Sequence, residues 1–207
     1  MIQVVAHRGI WADPASQNSL DAIARSFELG FGVETDVRDH DGVAVIAHDP
    51  PTSTCLALAD IMALPFANER HLFLNIKSDG LAPLLASRAW GPNAWFFDMS
   101  VPQMVVFARE RLPFLSRISD IEVNPVLVDQ AAGLWVDALM EEWLDAQHVR
   151  AITGLASNVA FVSPELHGRD PGAMWSLLRR EMPAATTVSI CTDLPMEARA
   201  FFNGASN

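Results

Sequence analysis

The chain has 207 residues, half of them hydrophobic and 19% charged, and carries a formal net charge of −11. That length suits a single domain over residues 1–207 with a substantial core, and the composition excludes a disordered chain. The acidic balance, without any run of Lys or Arg, excludes non-specific nucleic-acid binding, which needs a positive surface. The apolar stretches all fall short of the roughly 20 residues of a membrane-spanning helix. The N-terminal residues show no basic stretch followed by an apolar segment, since Met1–Ala6 is only strand-length and His7-Arg8 follows at once, so a cytoplasmic protein with no stable membrane insertion is expected. Cys55 and Cys191 follow no metal-ligand spacing and read as reduced, mostly buried thiols.

In chain order, short β-branched or aromatic runs alternate with helical stretches. The runs are Ile2–Ala6, Gly32–Asp36, Leu72–Ile76, Trp95–Asp98, Phe114–Ile118, Leu134–Asp137, Val159–Val162 and Thr187–Cys191. Helical periodicity occupies Ser19–Leu29, with Leu20, Ile23, Ala24 and Phe27 on one face, and Pro102–Arg111, with Val105 and Val106 inward. It returns at Leu58–Leu64, Trp143–Leu155 and Pro171–Met182. One segment breaks the alternation: Asp41-Gly42 is a hairpin signal, followed by Val43–Ala47 and then His48-Asp49. The turn should bring His48 beside Glu34 and Asp36.

Strands alternating with helices predict a parallel sheet. Most runs end in polar residues: His7-Arg8, Glu34 and Asp36, Asn75 and Lys77, Asp98, Arg117, Asp137, Glu165, and Thr192-Asp193. An open doubly wound sheet would gather such groups at its switch point, whereas a closed (β/α)8 barrel uses the C-terminal ends of all its strands. The even spread favours the barrel.

Glu34 and Asp36 stand two apart on a strand and share a face. Two close carboxylates repel unless a cation or a proton lies between them. Either a hard divalent cation, Mg2+ or Ca2+, sits there, or the acids are solvated or paired with Arg8 or Arg38. His7 and His48 would converge on that pair, and two imidazoles can take and give protons near neutral pH. Arg8 offers a fork suited to phosphate oxygens. His40, His71 and His148 read as surface or core residues, while His167, following Glu165 at a strand end, remains a substrate-side candidate.

His7-Arg8-Gly9, Gln17-Asn18-Ser19-Leu20-Asp21-Ala22, Glu34-Thr35-Asp36-Val37, Asp41-Gly42 and His48-Asp49 together resemble the N-terminal signature of the glycerophosphodiester phosphodiesterases. Asn75-Ile76-Lys77 resembles that family's Glu-x-Lys, and Thr192-Asp193-Leu194-Pro195 its closing Thr-Asp-x-Pro. The resemblance implies a (β/α)8 barrel and metal-dependent hydrolysis of a small-molecule phosphodiester. It implies Glu34, Asp36 and Asn75 as metal ligands, His7 and His48 as general base and acid, Arg8 on the phosphoryl group, and Lys77 against developing charge. Asp98, Arg117 and Glu165 are candidate substrate-binding residues in a remodelled pocket.

Three departures matter. Asn75 replaces a carboxylate ligand, which removes a negative charge from the metal site. Gln17 replaces a Glu. The stretch Pro50–Ala57 is too short to hold the insertion that usually covers the substrate after the second strand. Hydrolysis of glycerophosphodiesters to glycerol 3-phosphate and an alcohol is the leading expectation. A phospholipase like the sphingomyelinase D branch, forming a cyclic phosphate, and a catalytically weak barrel that binds phosphorylated ligands are the alternatives.

Overall fold

Each predicted run forms a strand, and most are followed by a helix. The structure, a computed structural model, describes residues 2–183 and 186–204. Among them the chain divides into two units, Ala6–Leu115 and Met1–Val5 with Ser116–Asn207, and β1 (Gln3–His7) contributes residues to both.

The first unit is built on β2 (Gly32–His40), which pairs antiparallel with β3 (Val43–Ile46). The turn between them has Asp41 at φ 48° and Gly42 at φ 77°, the two left-handed residues of a tight hairpin turn. β3 in turn pairs with β4 (Leu56–Ala57), a two-residue strand within the segment expected to be only a connection. On its other side β2 pairs in parallel with β5 (Leu72–Ile76), and β5 with β6 (Ala94–Phe97). The helices are α1 (Leu20–Glu28), α2 (Leu58–Met62), α3 (Ala82–Ala86) and α4 (Val101–Arg109).

The α1 stripe differs from its predicted one. Ala22, Ile23, Ser26 and Phe27 are buried, while Leu20 is exposed. Ser26 can occupy the core because its hydroxyl donates to the Ala22 carbonyl (2.8 Å) and accepts from the Ile10 N–H (2.9 Å). In α4 the buried residues are Gln103, Met104 and Phe107, grouped on one face within a helical turn, while Val105 and Val106 are half-buried on its flank; Ser100 caps the helix, which starts one residue earlier than expected.

The second unit holds β7 (Leu115–Ile118) from Ser116 onward, β8 (Gly133–Val136), β9 (Asn158–Val162) and β10 (Thr187–Thr192), with β8, β9 and β10 pairing in parallel. Its helices are α5 (Ala146–Leu155), α6 (Gly172–Glu181) and α7 (Pro195–Asn203). α5 begins three residues later than expected. Asp145 caps it by accepting from the His148 N–H, and Trp143 lies outside, donating its indole N–H to the Asp137 carbonyl (2.7 Å). Among the described residues, no helix is long and apolar enough to cross a membrane.

Gly9 packs against α1 at φ 87°, and a Cβ there would fall 2.7 Å from the Ala22 carbonyl carbon. Gly42 also has positive φ, but open space surrounds it. Gly9→Ala should therefore cost roughly 2 kcal/mol or more, and Gly42→Ala about 1, the strain alone. Urea unfolding of the two variants checks this; equal midpoints would show that α1 moves aside freely.

Candidate active site

β2 alternates its side chains so that Val33, Thr35 and Val37 face one way and Glu34 and Asp36 the other. Asp36 stands in register with Asn75 on β5, so both point to the same face, and Lys77 follows two residues on. All three oxygen-bearing residues are buried, with Glu34 at 2%, Asp36 at 0% and Asn75 at 8% exposure. Buried carboxylates require compensation. Arg8 Nε lies 2.9 Å from Asp36 Oδ2, and Lys77 Nζ lies 3.3 Å from Asp36 Oδ1. His7 Nε2 lies 3.8 Å from Glu34 Oε2. Of the alternatives open for the acidic pair, Arg8 does reach it, whereas Arg38 turns away and donates to the His48 carbonyl (3.0 Å).

Arg8 arrives here through its backbone. It adopts φ 56°, donates its N–H to the Glu34 carbonyl (2.8 Å), and precedes the tightly packed Gly9. A non-glycine residue in the left-handed region is a strained position, of the kind found at functional sites. Asp98, just after β6, is another, at φ 68°.

Burial pushes the Glu34 carboxyl up to about 7, with the neighbouring Asp36 charge adding to the rise and His7, Arg8 and Lys77 opposing it. Glu34 Oε2, Asp36 Oδ1 and Asn75 Oδ1 are buried without any hydrogen-bond partner. Three such oxygens on neighbouring strands make a donor set of the kind a hard cation takes, so the residues fit Mg2+ or Ca2+. The set has two carboxylates and one amide; among the described residues no three His, Cys, Asp or Glu side chains gather as a metal group.

The hairpin carries His48 to the end of β3, one residue past the hydrogen bond from the Ala47 N–H to the Asp36 carbonyl (3.1 Å). Its ring is half exposed, with Nδ1 2.9 Å from Asp49 Oδ1. His48 and Arg8 line one open cleft of about 500 Å³, together with Gln17, Asn18 and Asp49. Cys55 lines it too, and is half-buried rather than buried, with its sulfur accepting from the Thr52 N–H. Cys191 is buried as expected.

Two candidates belong to the other unit. Arg117 pairs with Glu122. Glu165 accepts from the hydroxyls of Ser163 and Thr192 and from the Asp193 N–H (3.1 Å), so it ties the ends of β9 and β10 together. In the same unit His167 Nε2 meets Asp137 Oδ1 at 2.7 Å. Two further residues that carry the family resemblance sit in the site: Asn18 donates to Asp36, and Gln17, an amide in place of Glu that can still orient a neighbour, accepts from Arg8 (3.3 Å). Their adjacency to His7-Arg8 in the motif was the available signal.

Comparison with solved structures bears on the fold. The chain is similar to a phosphodiesterase from Oleispira antarctica in complex with the product sn-glycerol-3-phosphate, with a TM-score of 0.69 and 18% identity over 98% of this chain and 97% of that one. It is equally similar to a glycerophosphodiester phosphodiesterase from Agrobacterium tumefaciens strain C58, with a TM-score of 0.69 and 17% identity over 99% and 100%. The fold is a (β/α)8 barrel. No protein-family model and no curated protein sequence matches the chain. At this identity the likeness speaks for the fold, and the chemistry must come from the side chains.

The raised Glu34 carboxyl has a consequence for stability. Its folded value of about 7 lies above the ordinary 4.5, so between those values the native state binds the proton that the unfolded state has lost. Stability should fall as pH rises through that window, by roughly 1–3 kcal/mol. Urea titrations in EDTA from pH 4.5 to 8 should show the fall in the wild type and a flatter profile in Glu34→Gln; parallel profiles would contradict the assignment.

Proposed function

We propose that the chain is a phosphoric diester hydrolase that cleaves small glycerophosphodiesters to glycerol 3-phosphate and an alcohol. The observation that carries this reading is the cluster itself: three buried oxygens without hydrogen-bond partners, flanked by Arg8, Lys77 and His7, with Arg8 also lining the cleft that holds His48. The solved phosphodiesterases of the same fold support it, and one of them holds glycerol 3-phosphate as its product.

In this reading Arg8 and Lys77 bind the non-bridging phosphoryl oxygens and stabilise the charge that gathers there. His7 takes a proton from the attacking water as its oxygen bonds to phosphorus. The phosphorus–oxygen bond to the alcohol breaks, and His48 delivers a proton to the departing oxygen. Asp49 on Nδ1 fixes the His48 ring and leaves Nε2 for that transfer. Glu34, Asp36 and Asn75 would hold a divalent cation, Mg2+ or Ca2+, which supplies further positive charge toward the phosphoryl oxygens. Asn75 brings no charge, and Arg8 and Lys77 already stand beside Asp36, so a low cation affinity is expected. A small uncharged or cationic alcohol suits the acidic chain better than a nucleic acid.

Glycerophosphocholine assayed with Mg2+ or Ca2+ should release glycerol 3-phosphate and choline. His7→Ala and His48→Ala should each lower kcat by about 10²- to 10⁴-fold with the circular dichroism spectrum unchanged. EDTA should suppress turnover, and undiminished turnover in EDTA would remove the cation from the proposal. Failure of every diester tried, with the fold intact, would overturn the hydrolase reading. A cyclic phosphate product would replace the water by a hydroxyl of the substrate itself.

A further inference from the structure

We infer that Asn18 is a positioning residue that divides the labour between the two oxygens of Asp36, holding one in place and leaving the other for the cation. The inference rests on the hydrolase reading and concerns the same site. Asn18 Nδ2 donates to Asp36 Oδ2 at 2.9 Å. The orientation of the amide is settled by its other end, because Asn18 Oδ1 accepts from the Thr35 hydroxyl at 2.7 Å. Thr35 is fully buried, so that hydroxyl would otherwise be stranded. The Asn18 backbone N–H donates to the Arg8 carbonyl at 2.9 Å, which ties the same residue to the segment carrying the guanidinium.

The other contacts of Asp36 are of a different kind. Arg8 Nε and Asp36 Oδ1 are buried without hydrogen bonds, although Arg8 and Lys77 both stand within ion-pair distance of the carboxylate. The cations therefore attract Asp36 without aligning it. Among its described side-chain contacts, the aligned hydrogen bond is the one from Asn18. A carboxylate on strand β2 can rotate about its last bond, and that torsion is soft. With Oδ2 fastened by Asn18, Oδ1 stays turned toward the face shared with Glu34 and Asn75. Ligand oxygens held by a second layer of hydrogen bonds bind a cation more tightly than free ones.

Asn18 occupies the left-handed region at φ 61°. Asn18→Gly keeps that backbone conformation while deleting the amide, so it isolates the side chain. Thr35→Val deletes the hydroxyl that orients the amide and leaves Asn18 in place. Calorimetric titration with Mg2+ and with Ca2+, alongside kcat and KM on glycerophosphocholine, should show cation affinity falling about 10-fold or more in Asn18→Gly and severalfold in Thr35→Val. In saturating cation, kcat should recover toward wild type. The double variant should be no worse than Asn18→Gly alone, because Thr35 acts through Asn18; a purely structural role would add the two losses. Should Asn18→Gly fail to fold, Thr35→Val decides by the same affinity. Wild-type cation affinity in either folded variant overturns the inference and leaves the hydrolase reading intact. A wild type that binds no cation and cleaves no diester overturns both.

Discussion

The structure of this site depends on how one buried carboxylate, Asp36, is compensated by its neighbours. Taking a carboxylate to zero exposure is costly unless opposite charge and hydrogen bonds surround it. Arg8, Lys77 and Asn18 each come from a different segment of the chain to meet that requirement. The strained backbone of Arg8, the close packing of Gly9 on α1, and the left-handed Asn18 all follow from bringing these groups to one strand end.

Glu34 shows the other side of the same balance. Its carboxyl lies two residues away on the same face and is pushed up to about 7 by burial and by Asp36, which outweigh the opposing pull of His7, Arg8 and Lys77. A carboxyl held near neutrality beside a second buried carboxylate gives up its proton when further positive charge arrives. In the proposed hydrolase, a divalent cation would compete with the proton of Glu34. The amide at position 75 would weigh on that competition, because it lacks the charge that a third carboxylate would have supplied.

His7 and His48 are placed by different devices. His7 stands at the end of β1 beside Glu34, in a confined setting. His48 depends on the Asp41-Gly42 turn, which reverses the chain and sets the register of β3, and it faces an open cleft with Asp49 on its ring. In the proposed reaction, one imidazole confined and one at the solvent boundary would serve the attacked and departing sides of a phosphoryl group.

Much of this was written locally in the chain. The eight runs, the hairpin at Gly42 and the shared face of Glu34 and Asp36 follow from periodicity and turn chemistry, which depend only on near neighbours. The short β4, the buried Ser26 in α1 and the pairing of Glu165 with Ser163 and Thr192 were not readable, because each depends on partners supplied by packing. The sequence by itself determined which residue types stand at the strand ends and on which face of β2 the acids lie. Only the tertiary structure decided that Arg8 and Lys77 bind Asp36, that Asn18 fastens it, and that Glu34 is left close to neutrality, since charge balance in a buried site is a property of distances between segments far apart in the chain.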